Sequence, residues 1–185
     1  LQRGKYAIQI KETVRNQSAQ PWEGQFFVQL KQKKPTTESL GFGQLRTYQG
    51  LAYYTPKTPY EKLPFDALDK SPVSLSVMGG WIASQQHYFI TAWIPPKNNS
   101  YQLMSSKLPG SDHYAISLTG VMHRLLPHET ISFQNQLYVG PEHPKVLGKL
   151  SPGLELTIDY GWLWFISSLI FSVMKIIYSV VGNWG

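Results

Sequence analysis

Over roughly the first 150 residues, apolar and polar side chains alternate with a period of two in short runs. Tyr6, Ile8, Ile10 and Val14 interleave with Gln9, Lys11, Thr13 and Arg15, the pattern of a strand with one face in a core and one in water. Phe26, Val28 and Leu30 repeat it against Gln25, Gln29 and Lys31. Val73, Leu75 and Val77 do so between serines, as do Tyr114, Ile116 and Leu118. Ile131 and Phe133 lead into Gln136 to Val139, a predicted last short strand stopped by Gly140-Pro141. Turn residues punctuate the runs at Gln20-Pro21, Gly79-Gly80, Pro95 to Asn99 and Pro109 to Asp112. Short alternating strands separated by such turns pair antiparallel, which predicts an all-β sandwich or barrel.

Two segments break the rhythm. Thr55 to Asp69 holds three prolines and predicts a loop with a brief helical turn at Phe65 to Leu68. Pro144 to Leu150 predicts a single helical turn, ended by Ser151-Pro152-Gly153. The last stretch differs more. Tyr160 to Val181 carries only five polar residues, Ser167, Ser168, Ser172, Lys175 and Ser179, and as a helix it would reach roughly 33 Å. Ser168, Ser172, Lys175 and Ser179 are spaced to share one narrow stripe. Leu163, Ile166, Ile170, Val173 and Ile177 take the opposite side, and Trp162, Trp164, Tyr178 and Trp184 flank the segment. A spanning helix, a helix lying in the membrane interface and a buried core helix all compete for this pattern. A mid-membrane lysine is costly unless paired, whereas an interfacial helix turns the Ser/Lys stripe to water. Gly182-Asn183 reads as a helix stop.

Composition narrows the classes. The 185 residues contain no cysteine, which excludes disulfides, thiolate metal sites and cysteine nucleophiles. Hydrophobic residues make up 42%, too many for a disordered chain, and 15 glycines with 13 prolines suit a turn-rich β-protein. The net charge is +6, with Arg3, Lys5, Lys11, Arg15, Lys31, Lys33 and Lys34 concentrated near the start. No recognition helix or aromatic-basic motif accompanies them, so nucleic acid is not an expected partner. Leu1 to Gly4 holds no initiator methionine, signal core or anchor, which predicts a piece of a longer protein.

The search for chemistry returns little. His123 and His128 lack a third ligand at metal spacing, and Pro127 prevents a regular two-histidine helix face. His87, inside the run Trp81 to Phe89, reads as a buried, hydrogen-bonded imidazole. No Gly-x-Ser-x-Gly elbow occurs, and Gly41-Phe42-Gly43 is half a dinucleotide fingerprint without its context. Asp66 and Asp69 would serve a glycosidase only if folding paired them suitably. Asn16-Gln17-Ser18 and Asn98-Asn99-Ser100 match the glycosylation sequon. No constellation compels an enzyme, and no cofactor or metal is expected.

One set of motifs is specific. Leu154-Glu155-Leu156-Thr157-Ile158-Asp159-Tyr160-Gly161-Trp162-Leu163-Trp164-Phe165-Ile166-Ser167, closed by Val181-Gly182-Asn183-Trp184-Gly185, resembles the YidC family of bacterial membrane-protein insertases. Arg3-Gly4-Lys5-Tyr6, Tyr60 to Asp66, Gly79 to Ala83, Gln86-His87-Tyr88-Phe89, Ala92-Trp93-Ile94-Pro95 and Tyr138 to Pro141 resemble blocks of its first periplasmic domain, in order. The resemblance implies an antiparallel, galactose-mutarotase-like β-supersandwich over residues 1–159. An amphipathic membrane-interface helix would follow over 160–185, ahead of a transmembrane helix. It implies an inner-membrane location with this portion on the periplasmic side of a Gram-negative cell. The family inserts and folds inner-membrane proteins, alone or with the Sec translocon, through a groove arginine that none of Arg3, Arg15, Arg46 or Arg124 matches.

For this chain the resemblance therefore implies an accessory, non-enzymatic role. The expected partners are the membrane lipid surface, the Sec translocon with the SecDF accessory proteins, and nascent inner-membrane proteins. The expected membrane-interface residues are Trp162, Trp164, Phe165, Ile166, Ile170, Val173, Lys175, Ile177 and Trp184. The alternative is a carbohydrate-binding or mutarotase-like sandwich, which rests on fold analogy alone. It requires His87 or His113 to share a cleft with Asp66 or Glu155.

Overall fold

The computed structural model describes residues 6–35 and 48–158 and, in the C-terminal tail, positions 173, 174, 178, 179 and 182. Among these residues ten strands form two antiparallel sheets. They are β1 (Ala7–Arg15), β2 (Trp22–Lys33), β3 (Gly50–Tyr54), β4 (Glu61–Leu63), β5 (Val73–Met78), β6 (Trp81–Gln86), β7 (Phe89–Ile94), β8 (Ser100–Lys107), β9 (His113–Leu125) and β10 (Thr130–Pro141). One sheet runs β1-β10-β7-β6-β3-β4 and the other β2-β9-β8-β5. Two short helices, α1 (Phe65–Leu68) and α2 (Pro144–Leu150), and a 3-10 turn at Leu154–Thr157 complete the described elements. The expected all-β sandwich is what forms.

The sheets face each other across a core built from the alternating residues. Phe26, Tyr101, Leu103, Tyr114, Ile116 and Leu118 of the four-stranded sheet meet Leu51, Tyr53 and Ile82 of the six-stranded one. One polar device crosses this core. Gln32 is buried, donates from Nε2 to the Gln85 carbonyl (2.9 Å) and accepts from Ser84 Oγ at Oε1 (2.9 Å). Both ends of its amide are thereby satisfied, so its burial is not left uncompensated.

Where expectation and structure part, the cause is physical. β3 and β6 show no alternation because both of their faces are buried, so a period-two signal cannot exist there. β8 hides its register by burying Ser105 and exposing Met104. The short β4 lies inside the stretch expected as loop, although the helical turn at Phe65–Leu68 forms as expected. The separate last strand expected at Gln136 to Val139 is instead the end of one 12-residue β10, because Asn135 is accommodated in the pairing with Ile10. His87 is not buried. It stands exposed in the two-residue turn between β6 and β7 at φ 45, with Nδ1 2.9 Å from Gln49 Nε2.

Local polar groups fasten the ends. Asn16 is buried and bonds Gln20 and Leu125 carbonyls through Nδ2 and Ser18 through Oδ1, so its amide has no room for a glycan. Asp66 and Asp69 do not form a catalytic carboxylate pair. Asp66 is held by Lys34 (2.6 Å) and Asp69 by the Tyr114 hydroxyl (2.6 Å) and Lys107 (3.0 Å), which pins α1 to β8 and β9.

The Tyr114 hydroxyl bond, then the Lys107 ammonium, holds the Asp69 carboxyl below its ordinary 3.8. A depressed carboxyl stabilises the fold above its unfolded pKa and loses that contribution as pH falls through its folded value. Asp69→Asn should therefore melt below the wild type at neutral pH. The two melting temperatures should converge as pH falls through the lowered folded value of this carboxyl, which a thermal-melt series against pH would read.

Candidate functional site

The outer face of the six-stranded sheet is where the chain prepares its C-terminal tail. Ala7, Tyr138, Ala92, Ala83 and Ala52 lie side by side across β1, β10, β7, β6 and β3. The row is low because four of its five members are alanines, and Leu147 of α2 and Leu154 of the 3-10 turn pack into it, both fully buried. Two such leucines and Trp81 contribute several kcal/mol at about 1.5–3 kcal/mol each.

Polar contacts set the direction of the segment. Trp81 Nε1 donates to the Pro152 carbonyl (3.1 Å), and Gln85, four residues further along the same strand face, donates to the Thr157 carbonyl (2.7 Å). The Tyr60 hydroxyl donates to Gln85 Oε1 (3.0 Å), fixing which way the amide points. Thr157 is buried and turns its hydroxyl onto the Leu154 carbonyl (2.6 Å). Gly153 bends the chain at φ 75 beneath the Tyr54 ring, which stacks on Trp81 at 6.0 Å. Residues 147–158 are thus clamped, and Ile158 is half-buried against the same cluster.

In the tail, Val173, Met174, Tyr178 and Ser179 are helical. Val173 is 48% exposed, Met174 41% and Tyr178 39%. The Gly182 N–H closes the helix on the Tyr178 carbonyl (2.7 Å) with φ 70, the left-handed stop expected there. Of the expected interface residues only Val173 is described. Trp162, Trp164, Phe165, Ile166, Ile170, Lys175, Ile177 and Trp184 lie outside the described residues. Among the described residues no helix is long and apolar enough to cross a membrane, and no group of side chains is arranged for a metal.

Trp81, Gln85 and the alanine row escape notice as a site when read as sequence. The available signal is Gln85 itself, an amide next to the apolar run Trp81-Ile82-Ala83. At the other end of the sandwich an open groove of about 730 Å3 is lined by Thr55, Lys57, Val77, Met78, Tyr101 and Val121, among others. Among the described residues neither a histidine nor a carboxylate lines it.

The class these features define is a two-sheet antiparallel β-domain whose C-terminal lead is clamped to the outer face of one sheet. The model of the YidC periplasmic domain matches residues 1–173. The membrane protein insertase YidC of Pseudomonas fluorescens strain Pf-5 is 42% identical over 193 residues, covering 100% of this chain and 34% of that protein. Those of Coxiella burnetii strain RSA 331 and Pseudomonas aeruginosa strain LESB58 are each 40% identical, covering 99% and 97% of this chain. The chain belongs to the YidC periplasmic domain family. It spans about a third of the length of these curated relatives.

Proposed function

We propose that this chain is the periplasmic portion of an inner-membrane protein insertase, with a non-enzymatic role in seating and docking. In this reading residues 1–159 form the sandwich and 160–185 form a helix lying in the outer leaflet surface. Trp162, Trp164, Phe165, Ile166, Ile170, Val173 and Ile177 enter the lipid and Lys175 reaches water or phosphate. The observation that supports it most is the pairing of a tightly clamped lead, ending at Thr157 on Gln85, with apolar helical residues left exposed at Val173, Met174 and Tyr178. A firmly held lead followed by exposed apolar residues at Val173, Met174 and Tyr178 suits an apolar partner. The relatives carry the name membrane protein insertase, which makes the lipid surface the partner of choice.

The sandwich then acts as a docking or spacing body for the Sec translocon, for SecDF accessory proteins or for emerging loops of nascent membrane proteins. The outer face of the four-stranded sheet suits such contacts. Phe27, Met104 and Met122 are exposed there beside the Ser76–Gln102–Ser74 hydrogen-bonded ladder. Deleting 161–185 tests the membrane half of the reading. Vesicle flotation should be abolished, while the circular-dichroism melt of the β-domain stays in place. Flotation of the shortened chain at the full chain's level would overturn it.

A further inference from the structure

A second surface suited to lipid lies at the end of the sandwich from which the tail departs. β6 and β7 are joined by His87-Tyr88, with Gln86 facing Phe89 across the turn. Tyr88 is 67% exposed and Phe89 59%. The Glu142 N–H donates to the Tyr88 carbonyl (2.9 Å) and the Val139 N–H to the Tyr6 carbonyl (3.1 Å), which brings the end of β10 and the start of β1 to the same rim. Val139 and Tyr6 are exposed as well.

The tail leaves from this rim. Gln85, adjacent to the residue that closes the turn, holds the Thr157 carbonyl, and Leu156 beside it is exposed. The Gly79-Gly80 and Pro95 to Asn99 turns lie at the opposite ends of β6 and β7.

We propose that the Tyr88-Phe89 tip, with Val139 and Tyr6 behind it, is a second lipid-contact element that enters the headgroup layer beside the tail. The proposal rests on the membrane-seating reading above. Three observations commit it to a lipid surface. Trp162 is four residues beyond the clamped Ile158, at most roughly 14 Å of chain, so a tail lying on lipid keeps this rim within reach of the same surface. The tip offers tyrosine and phenylalanine, side chains that suit the boundary between headgroups and acyl chains. Lys145 and Lys149 are exposed on α2, which starts two residues after Glu142, and they suit anionic headgroups, while the Glu142 carboxylate is turned to the Gln85 amide (3.3 Å).

The chain has no cysteine, so one introduced thiol carries one label. Tyr88→Cys, Val173→Cys and, as the far-end control, Asn98→Cys are each labelled with an environment-sensitive fluorophore. Each is then mixed with phosphatidylethanolamine/phosphatidylglycerol vesicles containing a lipid-borne quencher. Quenching at 88 and 173 but not at 98 is expected. Quenching at 173 alone overturns the tip proposal, leaves the tail reading standing and leaves the tip for a protein partner. Quenching at 88 alone supports the tip and overturns the tail reading. Quenching at neither overturns both.

Because a label adds apolar surface of its own, the unlabelled Tyr88→Ser/Phe89→Ser chain supplies a separate measurement. Its vesicle affinity should fall about three- to tenfold with an unchanged melt. An unchanged affinity overturns the proposal.

Discussion

Gly80→Ala should lower the melting temperature by roughly 6–12 °C, the equivalent of about 3 kcal/mol for a domain of this size. Gly80 adopts φ 90, a conformation that an L side chain rarely takes, at the turn from β5 into β6. A methyl group there would be driven into the Tyr54 carbonyl oxygen. That oxygen is main chain, at the end of β3 where Tyr54 pairs with Trp81. The obstacle therefore cannot swing aside as a flexible side chain would, and relief requires separating β3 from β6. Trp81 is the first residue of β6 and bonds Pro152, so the same variant should loosen the lead to the tail. Differential scanning calorimetry reads the first effect. Accelerated amide exchange at Leu154, Leu156 and Ile158 reads the second.

Leu154→Ala should cost about 2–5 kcal/mol, and its effect should be confined to one face. The side chain is fully buried on the alanine row with Leu147, and the row has no larger neighbour in Ala52, Ala83 or Ala92 to fill the gap. Fast exchange should appear at Leu156 and Ile158, whose amides bond Gly153 and Glu155 within the 3-10 turn. The strands of the inter-sheet core around Ile116 and Leu118 should keep most of their protection. Equal loss of protection across both sheets would mean that the lead is an inseparable part of the core rather than a clamp laid on its outer face.

These two positions also show what sequence patterning carries. β1, β2 and β5 are readable because one face of each meets water, so polarity alternates with the pleat, while β9 is readable because the small Ala115 and Ser117 separate Tyr114, Ile116 and Leu118, although all five are buried. β3 and β6 are silent because the 147–158 segment covers the outer face of their sheet, and a strand covered twice shows only a run of apolar residues. The Gly79-Gly80 turn is readable as a turn, but its closeness to Tyr54 depends on strand pairing that no local pattern encodes. Gln85 is the instructive case. An amide at the end of a buried strand looks neutral in isolation, yet it reaches 72 residues along the chain to Thr157. His87, expected to be buried, is exposed, and its turn is silent for the converse reason, since a non-glycine hairpin turn leaves no glycine or asparagine signal. The stop at Gly182 is legible because a left-handed cap is a local property.

The central claim is that the tail lies flat at a lipid surface with the sandwich outside the bilayer. Spin labels placed singly from 166 to 179, on the full chain bound to vesicles, test it most directly through their accessibility to oxygen and to a water-soluble relaxant. A flat helix predicts oscillation with a period near 3.6 residues. Positions 166, 170, 173 and 177 should be oxygen-rich at one shallow depth, and 168, 172, 175 and 179 should be open to water. A depth that increases steadily along the segment, or labels shielded from both probes, would contradict it.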